Sequence, residues 1–307
     1  MNLRQLTYFE QVAELQSFTR AAGVLHVAQP SLSRQIQLLE HDLGVLLFVR
    51  SDKGVKLTEA GVALQERTKS VLQQVRRIRD EVGQQSKTPR GELNIGLPPS
   101  LFHLLTVPLV CEYRKRYPDV QLFIAEGVSA TMHEAVLTGK LDAAVISDAE
   151  PLGMLRSRLL LREQLYLVGP KAAGLAVERP LEVAALARRP LILTRRPNAL
   201  RLLVEHALAK AGHRIEPVID TDSTRLLCEL VAHALGYSVL PFSAFAEAYR
   251  AGRLSVAPMR GLSVTWTQIT SNERGVSLAG RKFGDLFTEV ANRQLASGEW
   301  LCAAVLG

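Results

Sequence analysis

Cysteine is scarce in this chain of 307 residues. The three cysteines, Cys111, Cys228 and Cys302, are odd in number, lie far apart and include no CxxC pair. A disulfide framework needs paired cysteines, and a cysteine-based zinc site needs them at short spacings. The sequence therefore argues against both kinds of site.

Long apolar runs and catalytic motifs are missing as well. The chain does not begin with a basic stretch followed by an apolar one, and no apolar run approaches the roughly 18 residues that span a membrane. None of the motifs GxSxG, GxxxxGKS/T, HExxH and GxGxxG occurs, and the histidines show no metal-ligand spacing. We therefore expect a cytoplasmic protein that is not an enzyme and has no metal or other resident cofactor.

Positive charge is concentrated near the N-terminus. The whole chain has a formal net charge of +7, and residues 1–90 contain 13 basic residues against nine acidic ones. Such an excess favours a partner with phosphate groups, either a nucleic acid or an anionic membrane. No basic amphipathic helix with an aromatic face supports the second alternative. We therefore predict contact with a nucleic acid and none with a membrane.

The stretch from Ser17 to Leu43 predicts two helices joined by a tight turn. The first covers about Phe18–Leu25, and the second begins at Pro30, whose missing N–H costs nothing in the first helical turn. Apolar residues recur at helical spacing along the second helix, at Leu32, Ile36, Leu39 and Leu43. This is a helix-turn-helix pattern.

The other face of the second helix has polar side chains suited to base edges and phosphates, namely Gln29, Ser31, Ser33, Arg34, Gln35 and Gln37. An ordinary solvated face would be similar, but this one contains no acid before Glu40. A hairpin is predicted next, within Phe48–Leu57, and three basic residues lie near its tip, Arg50, Lys53 and Lys56. A basic hairpin after a recognition helix is a wing. Together the two elements favour double-stranded DNA as the partner.

A long helix is predicted after the wing. Thr58 is a candidate N-cap. Small or apolar residues then alternate at spacings of three and four, at Gly61, Leu64, Thr68, Val71, Val75, Ile78 and Val82. Over three heptads this pattern favours a coiled-coil pairing of two chains. Such a dimer would hold two recognition helices at a fixed spacing, so we expect an inverted-repeat DNA site.

From Glu92 onward strands and helices alternate, which predicts βαβ units and a parallel sheet. In such sheets ligands bind at the carboxyl ends of strands, against helix N-termini that favour anions. Four strand–helix junctions offer candidate ligand-binding residues, which are Ser100 and Leu101, Ser129, Thr194 with Arg195 and Asn198, and Thr221. Helix capping alone would explain each junction. If they converge on one cleft, they would bind a small anion, with Arg195 or Arg196 clamping a carboxylate.

Residues 1–87 resemble the winged helix-turn-helix and linker helix of LysR-type transcriptional regulators. The resemblance rests on the stretches LRQLTYFEQVAELQSFTRAA, AQPSLSRQIQLLEHDLGVLLFVR and LTEAG. The residues at positions where that family contacts DNA are Gln29, Pro30, Ser33, Arg34, Arg50 and Lys53. The resemblance implies a bacterial regulator that binds DNA as a dimer of dimers and affects access of RNA polymerase.

The rest of the chain resembles the effector domain of the same family. GKLDAAVI, YPDVQLFIAEG and EQLYLVGP are similar to landmarks of its two-lobed fold, which is of the type 2 periplasmic-binding-protein kind. PPSLFHLLTVPLV and AEGVSATMHEAVLTGKLDAAVI look most like the branch that contains nitrogen assimilation control and cyanate regulators. Some members of the family sense oxidants through a cysteine pair, which keeps a redox role for Cys228 as a minor alternative.

These observations predict an α/β protein with an all-α-type winged helix-turn-helix domain at its N-terminus. The predicted segments are the DNA-binding domain at 1–58, the linker helix at 59–87, a hinge at 88–91 and the effector domain at 92–307. Within the last, lobe I is expected at about 92–162 and 268–300, and lobe II at about 163–267. The predicted function is transcription regulation through DNA binding that a small anionic effector modulates. The alternatives are a ligand-independent DNA-binding repressor or architectural protein and, less favoured, a solute-binding protein.

Overall fold

The structure is a computed structural model that describes residues 1–51, 54–82, 88–147, 154–272, 275–301 and 303–306. The chain divides into two compact units, the first built on Met1–Gln85 and the second on most of the chain from Ser86 onward. The first unit contains α1 (Leu3–Leu15), α2 (Phe18–Val24), α3 (Gln29–Leu43), β1 (Phe48–Ser51), β2 (Gly54–Leu57) and α4 (Glu59–Val82).

The helix-turn-helix prediction is confirmed in α2 and α3. Ser17 caps α2 by accepting a hydrogen bond from the amide of Arg20, and His26 provides the left-handed residue of the turn, at a φ of 52°. The predicted apolar stripe of α3 is buried except at its last member, because Leu43 is 38% exposed. The helix ends there at Gly44, and the core is completed instead by Leu47, which is 1% exposed.

The wing and the start of the long helix also match the sequence prediction. Strands β1 and β2 pair antiparallel, with Phe48 opposite Leu57. The hydroxyl of Thr58 accepts a hydrogen bond from the amide of Gly61, as expected of an N-cap. A Cβ at Gly61 would lie 2.2 Å from the carbonyl oxygen of Leu47, so only glycine allows α4 to begin this close to the wing.

The heptad positions that predict coiled-coil pairing of α4 are unevenly buried within the single chain. Of its first three members, Gly61 and Thr68 are buried and Leu64 is half-buried. Val71 is 39% exposed and Ile78 is 54% exposed. The helix therefore packs on its own domain at its beginning and presents an apolar stripe to its surroundings further along.

The second unit contains an α/β fold. Its helices are α5 (Val107–Arg116), α6 (Ser129–Thr138), α7 (Ala199–Lys210), α8 (Thr224–Ala232), α9 (Phe242–Arg250) and α10 (Leu278–Ala296). Its strands are β3 (Gly91–Leu97), β4 (Val120–Glu126), β5 (Ala143–Ser147), β6 (Leu155–Pro170), β7 (Ile192–Thr194), β8 (Ile219–Thr221), β9 (Ser238–Pro241), β10 (Leu254–Ser271) and β11 (Ala303–Val305).

The prediction of a parallel sheet holds only inside each lobe. In lobe I, β3 pairs parallel with β4 and β5, and in lobe II β7 pairs parallel with β8. The lobes are joined by β6 and β10, which pair antiparallel with each other over most of their length. Because β10 also pairs antiparallel with β5, the large sheet is mixed. The sequence pattern predicts strands only at Gln164–Val168 and Val264–Thr270, which are the later parts of β6 and β10.

The strand–helix alternation predicts one helix over about Leu101–Arg116, but the structure has three successive segments there. A 3-10 turn covers Pro99–Leu101, a π-helix covers Phe102–Thr106, and α5 follows. The amide of Val107 bonds to the carbonyl of Phe102, five residues back. The next residue, Pro108, has no N–H and its ring crowds the preceding turn, which accounts for the widened helix at this point.

The carboxyl ends of the strands in both lobes point toward one short segment of β6. Strand β5 ends at Ser147, which is opposite Trp266, and Trp266 is opposite Leu161 of β6. Strand β9 approaches from the other direction and ends at Pro241, opposite Leu165. Residues 161–165 therefore mark the crossing between the lobes, and the strand ends of each lobe face it.

A fully buried carboxylate occupies the centre of this crossing. Glu163 is 0% exposed, and its two oxygens accept four hydrogen bonds. One oxygen accepts from the amide of Ser243 at 2.7 Å and from the indole of Trp300 at 2.7 Å. The other accepts from the hydroxyl of Ser243 at 2.9 Å and from the indole of Trp266 at 2.9 Å.

This cluster connects three elements that are far apart in sequence. The N-cap of α9 is Pro241, which has no side chain that can cap a helix, and Glu163 supplies the missing acceptor for the amide of Ser243. Burial raises the pKa of Glu163, whereas the hydrogen bonds from Trp266, Ser243 and Trp300 lower it, and the net shift is upward. The crossing thus depends on a carboxylate whose desolvation is partly offset by donors from β10, α9 and the C-terminal segment.

Replacing Glu163 by Gln should destabilise the fold by about 1–3 kcal/mol, because the amide group replaces one accepting oxygen with a donor that faces other donors. Thermal unfolding measures this loss. The chain has two tryptophans, and both bond to Glu163, so the emission maximum should also shift in the folded variant. Glu182→Gln, at a carboxylate that is 70% exposed, is the matched control. Equal stability and emission in E163Q and wild type would contradict this account.

Candidate nucleic-acid interface and ligand cleft

Helix α3 presents a polar face to solvent. Pro30, Ser31 and Arg34 are exposed, and Gln29 and Ser33 are half-buried. The Gln29 amide nitrogen donates to the hydroxyl of Ser33 at 2.8 Å, one helical turn away. A glutamine fixed in this way keeps its carbonyl oxygen available, and the exposed guanidinium of Arg34 can form the forked pair that guanine or phosphate accepts.

The acids at the end of α3 are both occupied. One oxygen of Glu40 accepts hydrogen bonds from the amides of Leu47 and Phe48, at 2.8 and 3.2 Å. Asp42 pairs with the amino group of Met1 at 2.5 Å, and this partner lowers the pKa of Asp42. Glu40 therefore connects α3 to the first strand of the wing. The sequence showed these acids but gave no indication of their partners.

The predicted DNA contacts of the wing are Arg50 and Lys53. Lys53 and the side chain of Arg50 lie outside the described residues. Lys56, on β2, is exposed.

On lobe I, the predicted ligand-binding residues lie at two neighbouring strand ends. Strands β3 and β4 pair in register up to Leu97 opposite Glu126, and Ser100 and Ser129 follow them. The Ser129 hydroxyl lies 3.0 Å from that of Ser147 and accepts a hydrogen bond from its amide at 3.2 Å. Ser147 was not predicted, because it lies within a strand and not at a helix start.

Ser100 and Leu101 have different surroundings. Ser100 is 7% exposed, and its hydroxyl has no hydrogen-bond partner within the described parts of the chain. Leu101 is 0% exposed and belongs to the main core of the second unit, so its side chain has no surface on which to meet a ligand. Leu101 is therefore a core residue, and its burial does not favour the ligand contact predicted for it.

The segment that contains Ser100 packs against α9. His103 in the π-helix lies 2.9 Å from the carboxylate of Glu247 on α9. Phe102, beside it, is 42% exposed. Because Glu163 caps α9, the crossing and the Ser100 segment are held by the same helix.

On lobe II, two predicted residues are direct neighbours. Thr194 ends β7 and Thr221 ends β8, and they are opposite each other in the register. Asn198 caps α7 through a hydrogen bond from the amide of Leu200, and Thr221 accepts one from the amide of Ser223. The capping explanation left open by the sequence thus applies to Asn198, whereas α8 is capped by Ser223 and Thr221 accepts its hydrogen bond ahead of that helix. Thr194 is 7% exposed.

The two arginines of this junction differ. Arg195 is exposed and has no ion pair with any described residue, so it is the free one of the two. Arg196 pairs with Glu205 at 2.7 Å. The predicted clamp on a carboxylate therefore fits Arg195.

Sequence reasoning missed Arg201. It is 7% exposed and lies 2.5 Å from Glu205 and 2.9 Å from Asp220. Burial raises the pKa of Glu205, but hydrogen bonds from Arg201 and Arg196 outweigh this and lower it. The i,i+4 spacing of Arg201 and Glu205 was the available signal. This network fixes α7 to β8 beside the strand ends.

The environment of Cys228 is that of an unreactive thiol. Its side chain is 6% exposed and lies 3.5 Å from the carbonyl of Ala244. Burial, with a smaller effect of Glu229, raises the pKa of the Cys228 thiol to about 12. Cys111 is exposed, and Cys302 lies outside the described residues.

The described residues contain neither a candidate metal site nor a candidate membrane-spanning helix. No group of three histidine, cysteine or acidic side chains there could hold a metal ion. No helix there is both long enough and apolar enough to pass through a bilayer.

The sequence matches two family descriptions. Residues 3–62 match the bacterial regulatory helix-turn-helix protein, lysR family, and residues 86–292 match the LysR substrate binding domain. The regulator BbuR of Bordetella bronchiseptica is 35% identical over 96% of this chain and 91% of its own length. The nitrogen assimilation regulatory protein nac of Klebsiella aerogenes is 35% identical over 66% of this chain and 65% of its own length.

Solved structures agree with this assignment. A full-length OxyR variant from Pseudomonas aeruginosa has a TM-score of 0.72 and 26% identity, over 98% of this chain and 95% of that one. CbnR in complex with its target DNA has a TM-score of 0.68 at 24% identity, over 95% and 99% of the two chains, which indicates a shared fold. This chain belongs to the LysR family of DNA-binding transcriptional regulators, with a helix-turn-helix domain followed by an effector-binding domain.

Proposed function

We propose that this regulator responds to a small organic anion, which binds between the lobes of the second unit and alters DNA binding by the first. One observation carries the proposal. The strand ends of both lobes face residues 161–165 of β6, so Ser100 and Ser129 approach that segment from lobe I and Thr194 from lobe II.

The chemistry of these residues favours an anion. Hydroxyl groups and the amides at helix starts donate hydrogen bonds, and Arg195 adds a free guanidinium. An anion held by both lobes would stabilise their closed arrangement more than their open one. Under linkage, the effector and the DNA site must then change each other's affinity by the same factor.

Dimerisation through α4 is part of the proposal. The apolar stripe of Val71 and Ile78 is exposed in the single chain, and a coiled coil would bury it. Two copies of α3 would then read an inverted repeat, and pairs of dimers would bind as a tetramer near promoters. Changes in how the dimers associate would alter DNA bending and the access of RNA polymerase in the cytoplasm.

Replacing Arg34 by Ala should weaken specific DNA binding by about 1–3 kcal/mol if this guanidinium reads a base edge. Fluorescence anisotropy at fixed salt measures the effect, with a duplex that the wild-type protein selects from random sequences. Arg214→Ala removes the same charge from an exposed position in the second unit and is the control. An unchanged affinity for R34A would remove Arg34 from the interface.

Replacing Ser100 by Ala should weaken the effector response and leave effector-free DNA binding intact, because one hydroxyl donor to the anion is lost. A loss of about 1.5 kcal/mol or more is expected for a hydrogen bond to a charged group. Thermal shift with a panel of small carboxylates first identifies a ligand, and titration of both proteins then compares affinities. Equal ligand affinity in S100A would exclude this contact.

Cys228 should stay unmodified under conditions that label Cys111. With a pKa of about 12, Cys228 is a thiol and not a thiolate at neutral pH, and only the thiolate reacts readily. Peptide mass spectrometry after timed iodoacetamide or peroxide treatment of the native protein provides the comparison, and denatured protein provides full labelling. Oxidation of Cys228 as fast as that of Cys111 would contradict this prediction and would support a redox role for Cys228.

A further inference from the structure

A basic cavity of about 280 Å³ lies in lobe I, away from the crossing. We call it the arginine pocket, and the lining residues used here are Arg156, Arg158, Gln268, Thr270, Val276 and Arg281. They come from β6, from β10 and from the start of α10.

The strand register explains why these side chains meet. Arg158 is opposite Gln268, and Arg156 is opposite Thr270, so all four lie on one face of the sheet. Helix α10 covers that face, since a Cβ at Gly284 would lie 2.7 Å from the side-chain oxygen of Gln268. Thr270 is also opposite Ala143, the first residue of β5, whose last residue faces the crossing. The pocket is therefore at the other end of lobe I from the cleft.

Among the residues that the structure describes, little negative charge compensates the arginines of the pocket. Arg158 has one carboxylate neighbour, Asp285 at 3.6 Å, and a long hydrogen bond to the hydroxyl of Thr288 at 3.4 Å. Within the described residues Arg156 has no ion pair, and the guanidinium of Arg281 bonds only to the carbonyl of Val276. Within the described part of the chain, the three guanidinium groups thus share a single acid, Asp285.

A buried amide without a partner faces the same space. Gln268 is 8% exposed and lines the pocket, but its side chain has no hydrogen bond to any described residue. The amide of Gln268 is therefore available to a ligand in the pocket. The start of α10, capped by Ser277, adds the positive end of a helix dipole of 19 residues.

We propose that the arginine pocket binds a small organic anion, a carboxylate or a phosphate ester, as a second ligand site separate from the cleft. The guanidinium groups of Arg156 and Arg281 form forked hydrogen bonds to the anionic group, and Gln268 donates its amide hydrogens to it. Binding would connect β6 and β10 to α10. This inference does not depend on the cleft, so either site can fail alone.

The experiment uses the full-length protein with citrate and inorganic phosphate as probes, at ionic strength held constant with sodium chloride. Phenylglyoxal modifies free guanidinium groups, and peptide mass spectrometry reads each arginine separately. We expect saturable protection of Arg156 and Arg281 by at least one probe and none of Arg214. Protection by citrate alone assigns a carboxylate ligand, and protection by phosphate alone assigns a phosphate ester. Absence of protection by both probes would overturn the proposal.

Variants then test the contacts. Arg281→Ala should weaken protection of Arg156 by at least about tenfold in probe concentration, since a charge-assisted pair is lost. Arg281→Lys keeps the charge without the fork and should lie between R281A and wild type. Arg214→Ala and Ser100→Ala should leave protection unchanged, the first as charge control and the second as cleft control. An equal loss in R214A would mean general charge screening and would contradict a specific site.

Discussion

The second unit depends on a buried carboxylate at the point where its two lobes join. Glu163 is fully buried and would be costly there without donors, and the fold supplies four of them from β10, α9 and the C-terminal segment. These donors come from different parts of the chain, so the carboxylate can be satisfied only when these parts are assembled. The carboxylate therefore both specifies and stabilises one arrangement of the crossing.

That crossing also determines where the polar strand ends of the two lobes meet. Because β5 ends opposite Trp266 and β9 ends opposite Leu165, the polar strand ends of the lobes face each other across a few residues of β6. Helix α9, which Glu163 caps, also contacts the Ser100 segment through His103 and Glu247. A change in lobe arrangement on ligand binding would thus act on elements that already share hydrogen bonds.

In the DNA-binding unit, the two faces of α3 have separate roles. The apolar residues of α3 are buried in the core of this unit, and the polar face of α3 stays exposed. The acids nearest to that face are Glu40, which accepts hydrogen bonds from the amides of Leu47 and Phe48, and Asp42, which pairs with the N-terminal amino group. Because both acids have partners, they do not stand as unpaired negative charges against a phosphate backbone. The family resemblance and the geometry of α3 thus favour the same surface for the predicted DNA contact.

Local patterns in the sequence determined much of this protein. The apolar spacing and caps of α2, α3 and α4 were enough to locate the helix-turn-helix, and turn residues located the wing, because these features involve neighbours along the chain. The strand–helix alternation located Ser129, Thr194 and Asn198 at their junctions for the same reason. Whether each one faces a ligand remains a prediction.

Only the tertiary structure decided the rest. The full length of β6 and β10, the burial of Leu101 and the partners of Glu163 depend on pairings between residues up to 137 positions apart, as between Glu163 and Trp300. Likewise, nothing local shows that Arg156 and Arg281 line one cavity with Gln268. Burial and unpaired charge arise when distant segments meet, and a sequence pattern records only what lies close along the chain.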